Sequence, residues 1–268
     1  MSLSKKDIKS AASDLFYAEK NKVQIPLISK RFNSMNMEDA YFIQDEFVKM
    51  KIEAGLTIKG WKIGLTSKAM QYALNINIPD SGILLDNMFF TDESEIPTNR
   101  FIETRVEAEI AFIFNKELEG KNISRQDIIE STEFVLPALE ILDTRVLRKD
   151  PDTGTLRNVF DTISDNAANA GIVTGNKKHN PKDMDLKWVG ALVHRNGDIE
   201  ETGLGGGVLG DPIKGIIWLV NRLNDYNQKI RPGELVLSGS FIRPIEARKG
   251  DNFYADYGDF GKVECKFV

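Results

Sequence analysis

The sequence predicts an α+β fold, rich in β-structure, with helices at its N-terminal end. Three observations carry that prediction. Helical periodicity dominates residues 1–56, two-residue alternation dominates residues 57–268, and the later strands do not alternate regularly with helices. The last point excludes a doubly wound parallel sheet, which needs a helix after nearly every strand.

Each element has its own local signal. Ser4, three residues before Asp7, reads as an N-cap, and helix should run to about Asn21. A second helix should start after Asn36 with Asp39 at its third position. It carries Ile43, Phe47 and Met50 on one stripe and meets a stop signal at Gly55. Arg100 to Asn115 alternates like a strand: Ile102, Thr104, Val106, Ala108, Ile110 and Phe112 share one face, and Glu103, Arg105, Glu107, Glu109 and Ala111 share the other. Ser124 and Asp127 should cap a short helix, and Val135 to Asp143 reads as a strand. Leu186 to Arg195, Asn196-Gly197 and Asp198 to Thr202 form a hairpin signal, because Asn-Gly suits a type I′ turn. Asp211-Pro212 opens a helix striped by Ile213, Ile216, Ile217 and Val220. Strands should follow near Glu234 to Ser238, Asn252 to Asp256 and Lys262 to Val268. Gly203-Leu204-Gly205-Gly206-Gly207 lacks the Lys-Ser/Thr ending of a phosphate loop and reads as a mobile connection.

Composition narrows the function classes. A formal charge of -5 and a pI near 5.3 argue against a nucleic-acid or acidic-membrane surface. The single cysteine, Cys265, permits no internal disulfide and shares a strand face with Val263 and Phe267, so a buried apolar role is expected. No apolar signal core follows the N-terminus and no apolar run approaches membrane-spanning length. A cytoplasmic protein is expected. His179 and His194 sit in polar, turn-adjacent sequence and should serve on the surface, which leaves no basis for a Ser–His–Asp triad.

The chemistry should lie around Arg105-Val106-Glu107-Ala108-Glu109. Two carboxylates two residues apart on a strand point the same way and repel unless a cation sits between them. Oxygen ligands without His or Cys suit a hard ion such as Mg²⁺ or Mn²⁺; Arg105 could equally neutralise the pair. Glu140 is a lone charge in the apolar run Leu136 to Leu142, which implies either a metal or a salt bridge to an arginine such as Arg105 or Arg145. Three glutamates around one ion would leave positions for water and for the carboxylate and ketone oxygens of a 2-oxo acid. In Gly60-Trp61-Lys62-Ile63-Gly64, Lys62 would pair with an anion, move protons or reach solvent.

These residues carry a resemblance. Gly60-Trp61-Lys62-Ile63-Gly64-Leu65-Thr66-Ser67, Arg105 to Glu109, Pro137-Ala138-Leu139-Glu140, Asp165 to Gly171 and Gly239-Ser240-Phe241 resemble the motifs of the 2-oxo acid hydratases and decarboxylases of aromatic-compound meta-cleavage pathways, within the fumarylacetoacetate hydrolase superfamily. The likeness runs in order from about Met37 to Val268. It implies a rolled mixed β-structure with a catalytic domain at 57–268. It also implies a metal-dependent hydratase adding water to an unsaturated 2-oxo (di)acid, in the seven-carbon case 2-oxohept-4-ene-1,7-dioate. A 2-oxo-3-enedioate decarboxylase and a catalytically silent binding member are the alternatives. By the same resemblance Glu107, Glu109 and Glu140 hold Mg²⁺ or Mn²⁺, Lys62 is the active-site lysine, Asp80 takes part in proton transfer and Ser164 contacts substrate. Arg145 to Phe160 corresponds to a mobile region over the pocket, and a higher homo-oligomer is expected. A distal substrate carboxylate calls for a cation, for which Arg157, Arg243 and Arg145 are candidates.

Overall fold

The computed structural model describes residues 2–73, 76 and 78–268. Helix α1 (Lys5–Asn21) starts where the Ser4 hydroxyl accepts the Asp7 N–H and ends at Lys22 in the left-handed region. A four-residue helix α2 (Ile28–Arg31) follows, and α3 (Met37–Glu53) begins at a reciprocal Asn36–Asp39 capping box. Leu15, Ile43 and Phe47 form a core of their own with Val146 and Ile163. The helices therefore pack against the chain around residues 146 and 163 and restrain it.

The strands and remaining helices then follow in order. They are β1 (Ile58–Gly64), α4 (Lys68–Ala73), β2 (Asp80–Leu85), β3 (Phe89–Thr91), β4 (Ser94–Ile96), β5 (Arg105–Phe114) and α5 (Arg125–Ser131). After these come β6 (Thr132–Leu142), α6 (Val159–Ser164), β7 (Asn169–Thr174), β8 (Gly190–Arg195), β9 (Asp198–Leu204) and α7 (Pro212–Asp225). The chain closes with β10 (Leu235–Leu237), β11 (Ile245–Glu246), β12 (Asn252–Asp256) and β13 (Lys262–Phe267). One mixed sheet has the order β2-β1-β10-β5-β6-β7-β3, with β11 also on β5, and a second has the order β4-β13-β12-β8-β9. Among the described residues no helix is long and apolar enough to cross a membrane.

The two faces of β5 separate core from site. Val106, Ala108, Ile110 and Phe112 enter the main core with Ile213, Ile216 and Leu219 of α7. The other face reads, in order, Arg105, Glu107, Glu109, Ala111 and Ile113, so charge gives way to apolar surface along one strand. Ala111 there joins Leu136, Ala138, Leu235 and Leu237 in a second apolar cluster. Cys265 is buried between Val263 and Phe267 as expected.

Several boundaries depart from the sequence expectation. The strand expected from Arg100 begins at Arg105, because Asp143 takes the Ile102 and Glu103 N–H groups and holds that stretch out of the sheet. Leu186–Trp188 is a 3₁₀ turn, so the hairpin strand starts only at Gly190. The glycine run is not a loose connection. Gly203 lies so close to the Phe241 carbonyl, and Gly205 to that of Leu186, that a Cβ would sit 1.9 and 2.2 Å from those oxygens. Helix α6 had not been expected; its signal was the Asn158–Asp161 capping box, over a segment too short to show periodicity.

Candidate active site

Antiparallel pairing of β5 with β6 sets Glu107 directly opposite Glu140 and Glu109 opposite Ala138. Carboxylate oxygens of Glu107, Glu109 and Glu140 lie within 4.8 Å of one another; Glu109 and Glu140 are fully buried. Like charges opposed across a strand pair destabilise it. Lys62, at the centre of β1, stands 3.4 Å from Glu140 and donates to the Ala167 carbonyl at 3.1 Å. Neither Arg105 nor Arg145 pairs with Glu140; the lysine does, and the Asn169 amide donates to Glu140 at 2.9 Å.

Local backbone chemistry makes these contacts possible. Gly64 pairs with Asp80 across β1 and β2, and a Cβ on Gly64 would stand 2.2 Å from Asp80 Oδ1 and 3.1 Å from Lys62 Nζ. Only glycine allows that approach. Gly239, at φ +113, donates its N–H to Glu109 at 2.8 Å. Asn166, Ala167 and Ala168 are three consecutive residues in the left-handed region, with φ of 51, 52 and 56. That turn delivers the Ala167 carbonyl to Lys62 and the Asn169 side chain to Glu140. Arg145 braces it. Its buried guanidinium is bound to the Asp165 carboxylate and donates to the Asp165 and Asn169 carbonyls at 2.7 and 3.1 Å.

The electrostatics of this cluster suit a cation in addition to Lys62. Four buried or half-buried carboxylates, Asp80, Glu107, Glu109 and Glu140, surround one ammonium. Burial would lower the Lys62 pKa, but these carboxylates, Glu140 foremost, override it and hold the ammonium well above its usual range. Burial, then Glu140, pushes Glu107 up to about 8, and the same causes raise Glu109. Burial also raises Asp80, against the opposing pull of Lys62. Among the described residues, Glu109 Oε1, Glu140 Oε2, Asp80 Oδ1 and Ser164 Oγ are buried without a hydrogen-bond partner. An excess of negative charge with free oxygens converging within 4.8 Å fits a hard divalent ion.

The structure thus brings Lys62, Asp80 and the three glutamates together. Ser164 is fully buried at the end of α6, just before the left-handed turn. Arg157 is half-buried and donates to Thr144 Oγ1 at 2.6 Å. Arg243 is exposed and paired with Glu201. Asn169 and Tyr257 had been given no role from the sequence. The Tyr257 hydroxyl, fully buried, donates to the Ala138 carbonyl at 2.7 Å and accepts the Glu109 N–H at 3.1 Å, pinning the two strands beside Glu109. The sequence signals for Asn169 were its place in the Asp165 to Gly171 motif and an amide opening an apolar strand.

No family model matches the chain. It is 51% identical over 257 residues to 2-oxo-hept-4-ene-1,7-dioate hydratase from Escherichia coli, covering 96% of each chain. It is 33% identical over 257 residues to 2-keto-4-pentenoate hydratase from Paraburkholderia xenovorans, covering 96% of this chain and 93% of that one. A solved structure of 4-oxalocrotonate decarboxylase from Pseudomonas putida, complexed with magnesium and adipate, superposes with a TM-score of 0.93 at 27% identity over 99% of both chains.

Proposed function

The chain belongs to the 2-oxo acid hydratases and decarboxylases of the fumarylacetoacetate hydrolase superfamily, and from that membership we propose that it hydrates 2-oxohept-4-ene-1,7-dioate to 4-hydroxy-2-oxoheptanedioate. The observation that carries the reading is the identity of 51% over 96% of the chain to a hydratase of that substrate. This assigns the chain to aromatic-compound catabolism. A homo-oligomer in the cytoplasm is the form we infer for it.

Glu107, Glu109 and Glu140 would hold Mg²⁺ or Mn²⁺, on the strength of their convergence within 4.8 Å and their unpartnered buried oxygens. When bound, the ion supplies Lewis acidity toward the carboxylate and keto oxygens of a 2-oxo acid. The protein residues handle the protons. Lys62 Nζ stays protonated among its carboxylates, and Asp80, buried beside it, has a raised proton affinity. Such a pair can take the C3 proton of the substrate at one atom and return a proton to C5 from the other, giving the conjugated 3-ene. Water then adds across C3 and C4, its hydroxyl at C4 and its proton at C3, so the atoms balance. The Ser164 hydroxyl would orient the substrate. Burial of Lys62, Asp80 and Glu140 excludes bulk water and strengthens each of these interactions.

The test is turnover of 2-oxohept-4-ene-1,7-dioate with Mg²⁺ and with chelator, following absorbance and carbon dioxide together. Metal-dependent loss of substrate without carbon dioxide supports the hydratase. Carbon dioxide release would move the assignment to the decarboxylase branch, the activity named for the solved structure of TM-score 0.93.

A further inference from the structure

We propose that Arg157, together with Arg105, forms the subsite that binds the distal carboxylate of the substrate and makes this enzyme selective for dicarboxylic over monocarboxylic 2-oxo acids. This rests on the proposed reading of the site as one for unsaturated 2-oxo acids. It starts from the order of residues on one face of β5: Arg105, Glu107, Glu109, Ala111, Ile113. A substrate whose keto acid end lies at the glutamates can extend its tail in two directions along this face. Toward Ala111 the surface is the apolar cluster of Leu136, Ala138, Leu235 and Leu237, where an unpaired carboxylate would be costly. Toward Arg105 it meets guanidinium groups, and the carboxylate in register with Arg105 on β11, Glu246, is engaged by Arg248.

The distances suit a seven-carbon acid. Residues two apart on a strand are about 7 Å apart, which is the offset between Glu107 and Arg105. The distal carbon of an extended seven-carbon chain lies about 6 Å beyond its keto carbon.

Three arginines converge at this end of the strand pair. Arg105 pairs in register with Leu142, the last residue of β6. Arg157 donates to Thr144, two residues further on, and its backbone N–H bonds the Arg148 carbonyl at 3.0 Å. Arg148 is occupied by Glu103 at 2.9 Å. Among the described residues neither Arg105 nor Arg157 has a carboxylate within salt-bridge range. Burial, and then the charge of Arg148, lower the pKa of Arg157 against the opposing pull of Asp165, and Arg105 adds to the lowering. The charge of Arg157 also acts on Asp80, opposing the rise that burial causes there. Arg145 is saturated by Asp165 and backbone carbonyls, and Arg243 stands in solvent with Glu201, so neither competes for this role. A planar guanidinium that gives one of its five N–H donors to a threonine hydroxyl retains donors for a carboxylate.

The experiment compares two saturated, unreactive ligands, 2-oxoheptanedioate and 2-oxoheptanoate, which differ only in the distal carboxylate. Calorimetric binding to the Mg²⁺-loaded protein is measured alongside turnover of 2-oxohept-4-ene-1,7-dioate and the monoacid 2-oxopent-4-enoate. The wild type should prefer the diacid, and Arg157→Gln should weaken diacid binding about 10- to 100-fold with monoacid binding within about twofold. In turnover the loss should fall on KM for the diacid. Arg157→Lys should recover part of the preference, since the charge remains but the fork does not. Arg105→Gln gives a second reading should Arg157→Gln misfold. Unchanged discrimination in both variants, or equal losses for both ligands, overturns the subsite. A wild type that binds the diacid selectively yet turns over neither unsaturated acid overturns the hydratase reading and leaves the subsite standing.

Discussion

Glu107 and Glu140 face each other as a direct cross-strand pair on β5 and β6. Two acids in that relation oppose folding unless a proton or a cation lies between them. Glu107→Gln should therefore act in two directions at once. Above pH 8, where Glu107 ionises, the metal-free variant should melt at a higher temperature than the metal-free wild type. Mg²⁺-dependent turnover should disappear. Full activity in Glu107→Gln would remove Glu107 from the metal site.

Stability without metal should depend on pH with a definite sign. Burial, then Glu140, raises Glu107 from an ordinary value of 4.5 up to about 8. Between those values the unfolded chain binds fewer protons than the folded one, so the metal-stripped protein loses stability as pH rises through the window. A bound cation favours the ionised carboxylates and opposes that loss. Melting curves with chelator and with Mg²⁺ should diverge progressively across this range. Parallel curves would contradict the assignment.

Asn169 donates to the buried carboxylate of Glu140 at 2.9 Å. Asn169→Ala should weaken Mg²⁺ binding about 10-fold, the low end of the range for such supporting bonds. Added Mg²⁺ should restore most of kcat. A loss of kcat that excess metal does not rescue would mean that Asn169 acts on the substrate.

Tyr257→Phe removes a hydroxyl that touches Ala138 and both backbone groups of Glu109. The cost should be about 1–2 kcal/mol in urea unfolding, because buried backbone groups are left unpaired. Mg²⁺ affinity should fall with it, as Glu109 loses its brace. Unchanged stability would show that the strand pair holds without this bond.

The acidic centre was legible in the sequence for physical reasons. Glu107 and Glu109 gave themselves away by two-residue spacing, and Glu140 by standing alone in an apolar strand. What supports them was less legible. Asn-Ala-Ala in a left-handed run contradicts the intrinsic preference of alanine, so no propensity argument finds residues 166–168. The arginines could not be ranked from sequence. Their order depends on how the chain after β6 folds back, through the Arg148–Arg157 backbone bond and the Asp165 clamp on Arg145. The strand start at Arg105 was hidden for a similar reason, since it depends on Asp143, 38 positions away by number.

The left-handed run at Asn166, Ala167 and Ala168 also sets a limit on how this enzyme can be improved. Each alanine held there costs about 1–2 kcal/mol relative to an ordinary backbone. Glycine at 167 or 168 would relieve that strain in the native turn, yet it would also widen the conformations open to the carbonyl on Lys62 and the amide on Glu140. Thermal robustness and catalytic alignment are thus traded against each other within three residues. Selection for hardiness alone would be expected to erode the site there first.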